Sequence, residues 1–365
     1  MMRVLVAPDK FKGCMSATTV CAVLAAALQD RAEITARPIS DGGEGFTATM
    51  QAALGGTAQS VSVRDPLGRP LTTTYATCGS IAVMEMASAS GLALLTASER
   101  DPWRASTFGT GEMIRAAAHH GAAEILLGIG GSATNDGGVG MALALGFQFL
   151  DASGQSLHDL PARLMEVRRI LPPERPWPPI LVACDVENPL LGPHGCTQIY
   201  GPQKGIHPKD FARHEARLAH LVTLLGIEST PGSGAAGGLG YGLVAFAQAE
   251  LVPGFALVAQ ALHLETLVQA ADLILTGEGR LDASSLSGKA PAALAHLAQK
   301  HHKPIIALCG SVEPTALPAL RRLFTHIVPI TPPGMDLPTA FSQALALLAE
   351  TARNLSLTGF AAPQG

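Results

Sequence analysis

The sequence is poor in aromatic and charged residues. Aromatic residues make up 4% of its 365 residues and charged residues 15%, whereas soluble proteins usually carry about 25% charged residues. The net charge of −4 provides no basic field to attract nucleic acid or an anionic membrane, and the scarce aromatic side chains form no stacking platform for single strands. We therefore expect small-molecule partners, with no nucleic-acid or membrane partner.

The chain also has few cysteines and lacks long apolar runs. Its six cysteines form no C-x-x-C pair, and a chain of this length needs no disulfide bonds to stabilise its core. No apolar run reaches the roughly 18 residues of a transmembrane helix. The apolar stretch 20–28 follows a predicted first strand and precedes no clear cleavage site, which favours a strand–loop–helix unit over a signal peptide. We predict a cytoplasmic protein with free thiols.

Several familiar motifs are missing or misplaced. The chain contains neither a Walker A loop nor a G-x-S-x-G nucleophile motif. The segment 232–237 matches G-x-G-x-x-G, but it follows a predicted helix and loop rather than a strand, which argues against a nicotinamide oxidoreductase. A glycine loop packed against a ligand or a neighbouring helix fits this segment better.

What the sequence has is a regular alternation of strand and helix patterns. Hydrophobic residues make up 47% of it, which excludes a disordered chain. Short apolar runs predict strands at 3–7, 34–39, 81–86, 124–129, 180–184, 272–275, 304–308 and 326–330. Helical patterns predict helices at 17–28, 109–119, 138–145, 211–225, 290–300 and 338–354, the first with Ser16 as its N-cap. Because the strands are almost continuously apolar, we predict an α/β fold with sheets covered on both faces.

The two ends of the chain differ in pattern from its middle. Both ends resemble βαβ units, whereas residues 60–88 resemble a β-meander and the glycine clusters lie in the middle. We therefore predict two α/β domains. The first is a Rossmann-like parallel-sheet domain formed by 1–63 and 266–365, and the second is an inserted domain at 64–265.

Five predicted strands end in polar loops that carry carboxylates. These loops lie at 8–13, 40–45, 130–138, 184–189 and 276–282. Ligands of open parallel sheets bind at the carboxyl ends of the strands. Since charged residues are scarce in this chain, carboxylates at five strand ends predict one or two facing ligand clefts rather than ordinary surface loops.

The segment GIGGSATNDGG at 128–138 is the most informative of these loops. It joins a predicted strand to a predicted helix, so its backbone N–H groups and the helix dipole would attract phosphate. Ser132 and Thr134 add hydroxyl groups, and Asp136 could accept a hydrogen bond from a ligand hydroxyl or hold a metal. Three lysines in glycine-containing loops could neutralise phosphate: Lys12, Lys204 and Lys289.

Anion-binding loops combined with carboxylates favour phosphoryl transfer. That reaction needs a phosphate cradle, cations, a carboxylate for Mg²⁺ and a carboxylate at the acceptor hydroxyl. Glycoside hydrolysis would need only two carboxylates and no phosphate loop.

Nine motifs, in this order and over essentially the whole chain, resemble those of the glycerate kinase family that makes 2-phosphoglycerate. They are APDKFKG (7–13), SDGGEG (40–45), EMASASGL (85–92), STFGTGE (106–112), GIGGSATNDGG (128–138), ACDVENPLLGP (183–193), YGPQKG (200–205), PGSGAAGGLG (231–240) and TGEGRLD with a later SGK (276–282 and 287–289). The resemblance implies ATP- and Mg²⁺-dependent phosphorylation of D-glycerate, in an active-site cleft between the two α/β domains. It also implies a place in sugar-acid or glyoxylate catabolism.

The resemblance also implies which residues line the site. They are Asp9, Lys12, Asp41, Gly43, Glu44, Gly131, Ser132, Thr134, Asn135, Asp136, Asp185, Lys204, Glu278, Arg280, Asp282 and Lys289. For the catalytic step, we assign either Asp185 or Asp282 to the acceptor hydroxyl. Lys12 and Lys289 would neutralise phosphate or the substrate carboxylate.

The remaining roles are assigned by chemistry. Asp41, Glu44 and Glu278 are candidates for Mg²⁺ or substrate hydroxyls, with Asp41 and Glu278 as the metal candidates. The segment 132–135 would hold phosphate, and Arg280 could instead grip the glycerate carboxylate.

Two residues depart from the family pattern. The family often has Ser at the position of Cys14, and it usually has Gln at the position of Ser284, which puts one contact of that loop in doubt. No motif reads the length of the acceptor or separates C2 from C3, so a kinase for another small hydroxy acid or a glycerate 3-kinase is an alternative. A non-catalytic ligand-binding protein is the alternative from another class, although it would not need all five carboxylate loops. The sequence does not define the oligomeric state.

Overall fold

A computed structural model describes residues 1–174, 176–286, 289–357 and 359. The chain divides into two compact units. The first consists of Met1–Asp41, Ala48–Leu54 and Phe255–Gly365, and the second of Gly42–Thr47 and Gly55–Gly254. No helix among the described residues is long and apolar enough to span a membrane.

The described residues form thirteen strands and thirteen α-helices. The strands are β1 (Arg3–Val6), β2 (Glu33–Ala36), β3 (Thr57–Arg64), β4 (Pro70–Cys78), β5 (Ile81–Glu85), β6 (Glu124–Gly128), β7 (Gln148–Leu150), β8 (Arg169–Leu171), β9 (Ile180–Ala183), β10 (Glu250–Val252), β11 (Leu273–Leu281), β12 (Ile305–Val312) and β13 (His326–Pro329). The helices are α1 (Ala17–Leu28), α2 (Phe46–Leu54), α3 (Ala87–Ser90), α4 (Phe108–His119), α5 (Val139–Ala144), α6 (Cys196–Tyr200), α7 (Phe211–Leu225), α8 (Ala235–Ala247), α9 (Gly254–Ala261), α10 (Leu264–Ala270), α11 (Ala290–Lys300), α12 (Leu317–Leu323) and α13 (Leu337–Asn354).

The first unit is built on a five-stranded parallel sheet in the order β13-β12-β11-β1-β2. The helix α1 begins after Ser16, whose side chain accepts a hydrogen bond from the Thr19 N–H. Val20, Leu24 and Leu28 recur one helical turn apart and are buried in the core of this unit. The strand order reverses beside β1, because β2 lies on one side of it and β11 on the other. Such a reversal is where open α/β sheets bind ligands.

The strand β11 is longer than predicted. We expected it to end at residue 275 and a loop to follow, but its pairing with β12 continues to Leu281 opposite Val312. The extension is possible because Gly277 has no side chain: a Cβ there would lie 2.0 Å from the Leu308 carbonyl oxygen. Glu278 and Arg280 therefore lie on a strand rather than in a loop.

The second unit contains a six-stranded sheet in the order β10-β9-β6-β5-β4-β3. In this sheet β5 pairs with β6, β6 with β9 and β9 with β10, all in parallel. The strands β3, β4 and β5 form an antiparallel meander. A separate hairpin joins β7 to β8. The mixed α/β class with parallel sheets is thus confirmed for both units.

The boundaries between the two units lie at other residues than those we predicted. The segment 55–63 falls in the second unit and 255–265 in the first, whereas the predicted boundaries were 63/64 and 265/266. The reason for the first difference is that β3 pairs with β4 from Thr57 opposite Thr77 to Arg64 opposite Pro70, which makes it part of the second sheet.

Candidate active site

The first unit carries buried carboxylates where β1 and β11 end. Asp9 is 4% exposed and Glu278 is 7% exposed. The Asp9 N–H donates to the Gly277 carbonyl oxygen at 2.9 Å, which fixes the two segments side by side. Burial raises the pKa of Asp9 to about 7, with further contributions from the charges of Asp41 and Glu278. Burial likewise raises the pKa of Glu278. These three carboxylates belong to one electrostatic site.

Two lysines balance this negative charge. The Lys10 Nζ lies 3.6 Å from Asp9 Oδ1 and 3.7 Å from Asp41 Oδ1, and the Lys289 Nζ lies 3.4 Å from Glu278 Oε2. Lys10 was absent from our predicted site, although it lies between Asp9 and Lys12 in the same motif. Its neighbour Lys12 is exposed.

One carboxylate oxygen fits a partial metal site. Glu278 Oε1 is buried and receives no hydrogen bond from any described residue. Within the described ranges, no group of three His, Cys, Asp or Glu side chains is arranged to hold a metal ion. Mg²⁺ commonly takes only one or two carboxylates and completes its shell with waters and substrate phosphates. Glu278, with Asp41 beside Asp9, suits such a site.

Asp282 and Arg280 form an exposed ion pair at the end of β11. The Arg280 Nε lies 3.5 Å from Asp282 Oδ2, and its Nη2 lies 3.4 Å from Glu313 Oε2. The Asp282 N–H donates to Ser285 Oγ at 3.1 Å. Ser287 and Gly288 of the predicted SGK motif lie outside the described residues, as does the side chain of Ser284.

In the second unit, Asp136 fills the place in which we expected phosphate. It is fully buried, and its carboxyl oxygens accept from the N–H and hydroxyl of Thr107, both at 2.8 Å. They also accept from the N–H groups of Gly138 and Gly140 at 3.0 and 3.2 Å. The start of the six-residue helix α5 is therefore capped by the loop's own side chain. Asp136 therefore stabilises the loop itself, and its predicted contact with a ligand stays a prediction.

Two buried basic side chains donate hydrogen bonds to backbone carbonyl oxygens of the same loop. Lys204 is 1% exposed, and its Nζ donates to the Thr134 carbonyl oxygen at 2.7 Å. Arg217 is 2% exposed, donates to the Asn135 carbonyl oxygen at 3.3 Å and stacks on Trp103. Burial lowers the pKa of Lys204 to about 8 and that of Arg217 to about 10. The Lys204 ammonium group thus stabilises the loop from within the protein, and the phosphate contact that we expected for it stays a prediction.

Only the first part of this loop is accessible. Thr134 and Asn135 are fully buried, whereas Gly131 is exposed and Ser132 is 7% exposed. The loop is fixed to residues 90–92, because the Leu92 N–H donates to the Gly131 carbonyl oxygen and the Ala133 N–H to that of Ser90. Gly131 is thus the exposed residue of the predicted phosphate-binding set, and the phosphate contacts of Ser132, Thr134 and Asn135 stay predictions.

Residues 42–47 pack on the carboxyl ends of β6 and β9. A Cβ at Gly42 would lie 2.4 Å from Ala183 Cβ, and one at Gly130 would lie 2.9 Å from Gly43 Cα. The carboxylate of Glu85 accepts from the N–H groups of Gly45 and Thr47, which holds this turn in place. Glu85 was not among our candidates, although it belongs to the motif EMASASGL. Gly43 is half-buried and Glu44 is exposed.

Asp185 follows β9 at the same edge of the second sheet. Its Oδ1 accepts from the Gly254 N–H at 2.8 Å, and the residue is half-buried. The second unit thus contains two of the five predicted loops, at 130–138 and 184–189, and residues 42–45 of the predicted loop at 40–45. The other two, at 8–13 and 276–282, meet in the first unit together with Asp41.

The G-x-G-x-x-G match at 232–237 serves packing. Gly237 has φ +69°, and a Cβ there would lie 1.9 Å from the Thr134 carbonyl oxygen. Gly242 and Gly138 are in similar backbone contact, with 2.8 Å between the Gly138 Cα and a Cβ at Gly242. This glycine segment lets α8 lie directly on the loop 130–138.

Comparisons with known proteins agree with this arrangement. A family model described as the glycerate kinase family matches residues 4–358. The chain is 38% identical to a glycerate kinase of Halalkalibacterium halodurans, over 98% of each chain, and 39% identical to a glycerate 2-kinase of Escherichia coli, over 85% of this chain and 86% of that one. It also superposes on the crystal structure of a protein of Salmonella typhimurium LT2 named as glycerate kinase 2, with a TM-score of 0.84, 35% identity and coverage of 97% and 96%.

The fold and these matches define the class of protein as a small-molecule kinase with an α/β architecture. Within that class, the chain belongs to the glycerate kinase family. The family resemblance found in the nine motifs is thereby confirmed.

Proposed function

We propose that this protein transfers the γ-phosphoryl group of ATP to the C2 hydroxyl of D-glycerate, which yields 2-phosphoglycerate and ADP. The observation that carries the proposal is the buried cluster of Asp9, Glu278 and two lysines at the strand ends of the first unit. Phosphoryl transfer depends on positioning and charge neutralisation, and this cluster offers carboxylate and cation groups for both. The E. coli relative named glycerate 2-kinase supports C2 as the acceptor.

The carboxylates of the first unit would hold Mg²⁺. Glu278 Oε1 is the buried oxygen that lacks a described partner, and Asp41 is the second predicted ligand. When bound, Mg²⁺ neutralises and orients the phosphate oxygens of the nucleotide. Lys289, at 3.4 Å from Glu278, would add a positive charge beside those oxygens.

The accessible part of the second unit's loop would contact anionic oxygens. Gly131 is exposed and its neighbour Ser132 is 7% exposed, and the exposed Lys12 and Arg280 of the first unit carry the charges for a phosphate or for the glycerate carboxylate. Asp185 and Asp282 are the two candidates for orienting the acceptor hydroxyl. We place the reaction in the cytoplasm, in the breakdown of sugar acids or glyoxylate.

A panel of hydroxy acids tests the substrate. We expect ATP-dependent ADP release with D-glycerate, with kcat/KM well above the values for L-glycerate, glycolate, lactate and tartrate. A better turnover of another acid would assign the enzyme to that acid. Tight binding of glycerate with no ADP release in the presence of Mg²⁺ would instead identify a non-catalytic ligand-binding protein.

A further inference from the structure

The first unit contains a cavity of about 390 Å³ that the proposed chemistry does not yet use. It lies where β11, β12 and β13 end, at Gly279, Gly310 and Ile330, and its outer wall is the beginning of α13. This size falls within the range of pockets that bind small molecules. Its position at the carboxyl edge of a parallel sheet is the usual place for a ligand of such a fold.

The wall formed by α13 is apolar and exposed. Leu337 is 66% exposed and Phe341 is 45% exposed. They are four residues apart and so lie on one face of the helix, while Ala340 and Ala344 line the floor beneath them. Exposed side chains of this size beside a preformed slot favour a flat, apolar ligand that covers them.

The rim of the cavity carries two basic side chains, one of which, Arg280, is also paired with Asp282 and Glu313. Lys12 and Arg280 line it, and the hydroxyl-bearing Ser311 and Thr331 stand at two other strand ends. Lys12 is three residues after Asp9, and Arg280 is two residues after Glu278, so the same two chain segments carry the rim and the carboxylate cluster. The apolar wall, the basic side chains of the rim and the carboxylate cluster together suit one kind of ligand. Such a ligand has a planar apolar part and an anionic tail, and the tail binds a divalent cation.

We propose that this cavity binds the purine base of the donor nucleotide, with Lys12 and Arg280 facing its phosphates. The inference rests on the proposed use of ATP and adds where the nucleotide is held. Phe341 and Leu337 stack on or cover the base, since stacking on aromatic side chains is a common way to bind bases of any sequence.

Calorimetric titration with ADP and with adenosine tests this site. We expect Phe341→Ser and, separately, Leu337→Ser to weaken the binding of both ligands at least fivefold. The Kd of D-glycerate should stay unchanged, because the slot does not hold the acceptor. Leu345→Ser is the matched control: Leu345 is 52% exposed on the next turn of the same helix but does not line the cavity. It should leave all three affinities unchanged.

The possible results of these experiments distinguish a failure of the base-binding proposal from a failure of the proposed kinase activity. If wild-type protein binds ADP and both cavity variants bind it equally well, the base lies elsewhere and the kinase activity stands. If the wild-type protein binds neither ADP nor ATP, the proposed function fails as well. If sedimentation shows that Phe341→Ser and Leu345→Ser both dissociate an oligomer without affecting ADP binding, a second copy of this chain covers the helix face and the base-binding proposal is wrong.

Discussion

Buried charged residues serve two purposes in this protein. Burial raises the pKa of both Asp9 and Glu278, and a cation bound beside them would favour their ionised forms. Lys204 and Arg217 are buried for another reason, since they donate to the carbonyl oxygens of one loop. The first pair offers chemistry to a ligand, and the second pair shapes the backbone that presents the loop.

Asp9 should make stability depend on pH. Its pKa rises from 3.8 when unfolded to about 7 in the folded protein, so the folded state holds this proton to higher pH. The free energy of unfolding should therefore fall as the pH rises from about 4 to about 7. Asp9→Asn should remove this fall, as measured by urea unfolding in EDTA at several pH values.

The matched control for that measurement is Asp272→Asn. Asp272 lies on the surface, and its hydrogen bonds with Arg3 lower its pKa to about 2. It stays ionised throughout the range in question, so its replacement should preserve the pH dependence. A difference between Asp9→Asn and wild type that is constant from pH 4 to pH 8 would contradict the assigned titration.

Measurements of kcat should show which carboxylate orients the acceptor hydroxyl. The Asp185 carboxylate accepts from the Gly254 N–H, and the Asp282 carboxylate pairs with Arg280. Replacement by Asn preserves shape and removes charge. We expect one of the two variants to lower kcat about 100-fold or more, as loss of a general base does, with little change in Tm. If both retain kcat within about tenfold, which is about 1.4 kcal/mol, neither residue has this role.

At the scale of secondary-structure elements, the glycine-rich segments act mainly in packing. Residues 232–242 and 130–138 lie backbone against backbone, so their glycines are required by close contact. The residues Ala236, Gly237 and Gly238 all have positive φ, which shapes the start of α8 to fit the loop. The glycine surplus of the sequence is thus explained in part by contacts between chain segments and not by ligands alone.

Gly237→Ala tests this packing. The new Cβ would clash with the Thr134 carbonyl oxygen and would have to adopt φ +69°. We expect a loss of about 3 kcal/mol or more in the free energy of unfolding, measured with urea. Gly226→Ala is the control, because Gly226 has φ +64° and open space around its Cβ position. It should cost only about 1 kcal/mol. Equal losses in the two variants would show that the contact with Thr134 is unimportant.

Local patterns predicted many of the elements. The predicted bounds of α1, α7 and α11 coincide with those observed, because each helix has a regular apolar face and a clear end. The sequence could not predict that Asp136 caps α5 or that Lys204 is buried. Both depend on partners far along the chain, such as Thr107 for Asp136 and Thr134 for Lys204. We did not predict the extension of β11, because its polar residues follow the apolar run that we used to place the strand. These polar residues nevertheless continue to pair with β12.

At the scale of the whole molecule, the two units contribute different chemistry. The first unit gathers carboxylates, lysines and the cavity beside α13, whereas the second gathers the glycine loops and Asp185. The sequence predicted five polar strand ends, but only the structure shows how they are shared between the units. Each unit contains groups of the kind that phosphoryl transfer uses.

The regiochemistry of the product tests the central claim most directly. The protein would be incubated with D-glycerate, ATP and Mg²⁺, and the product examined by proton-coupled phosphorus NMR. Phosphate on C2 is adjacent to a single carbon-bound proton and gives a doublet, whereas phosphate on C3 is adjacent to two and gives a triplet. We predict a new doublet together with the signals of ADP. A triplet, or ATP signals that stay unchanged, would contradict the proposed glycerate 2-kinase activity.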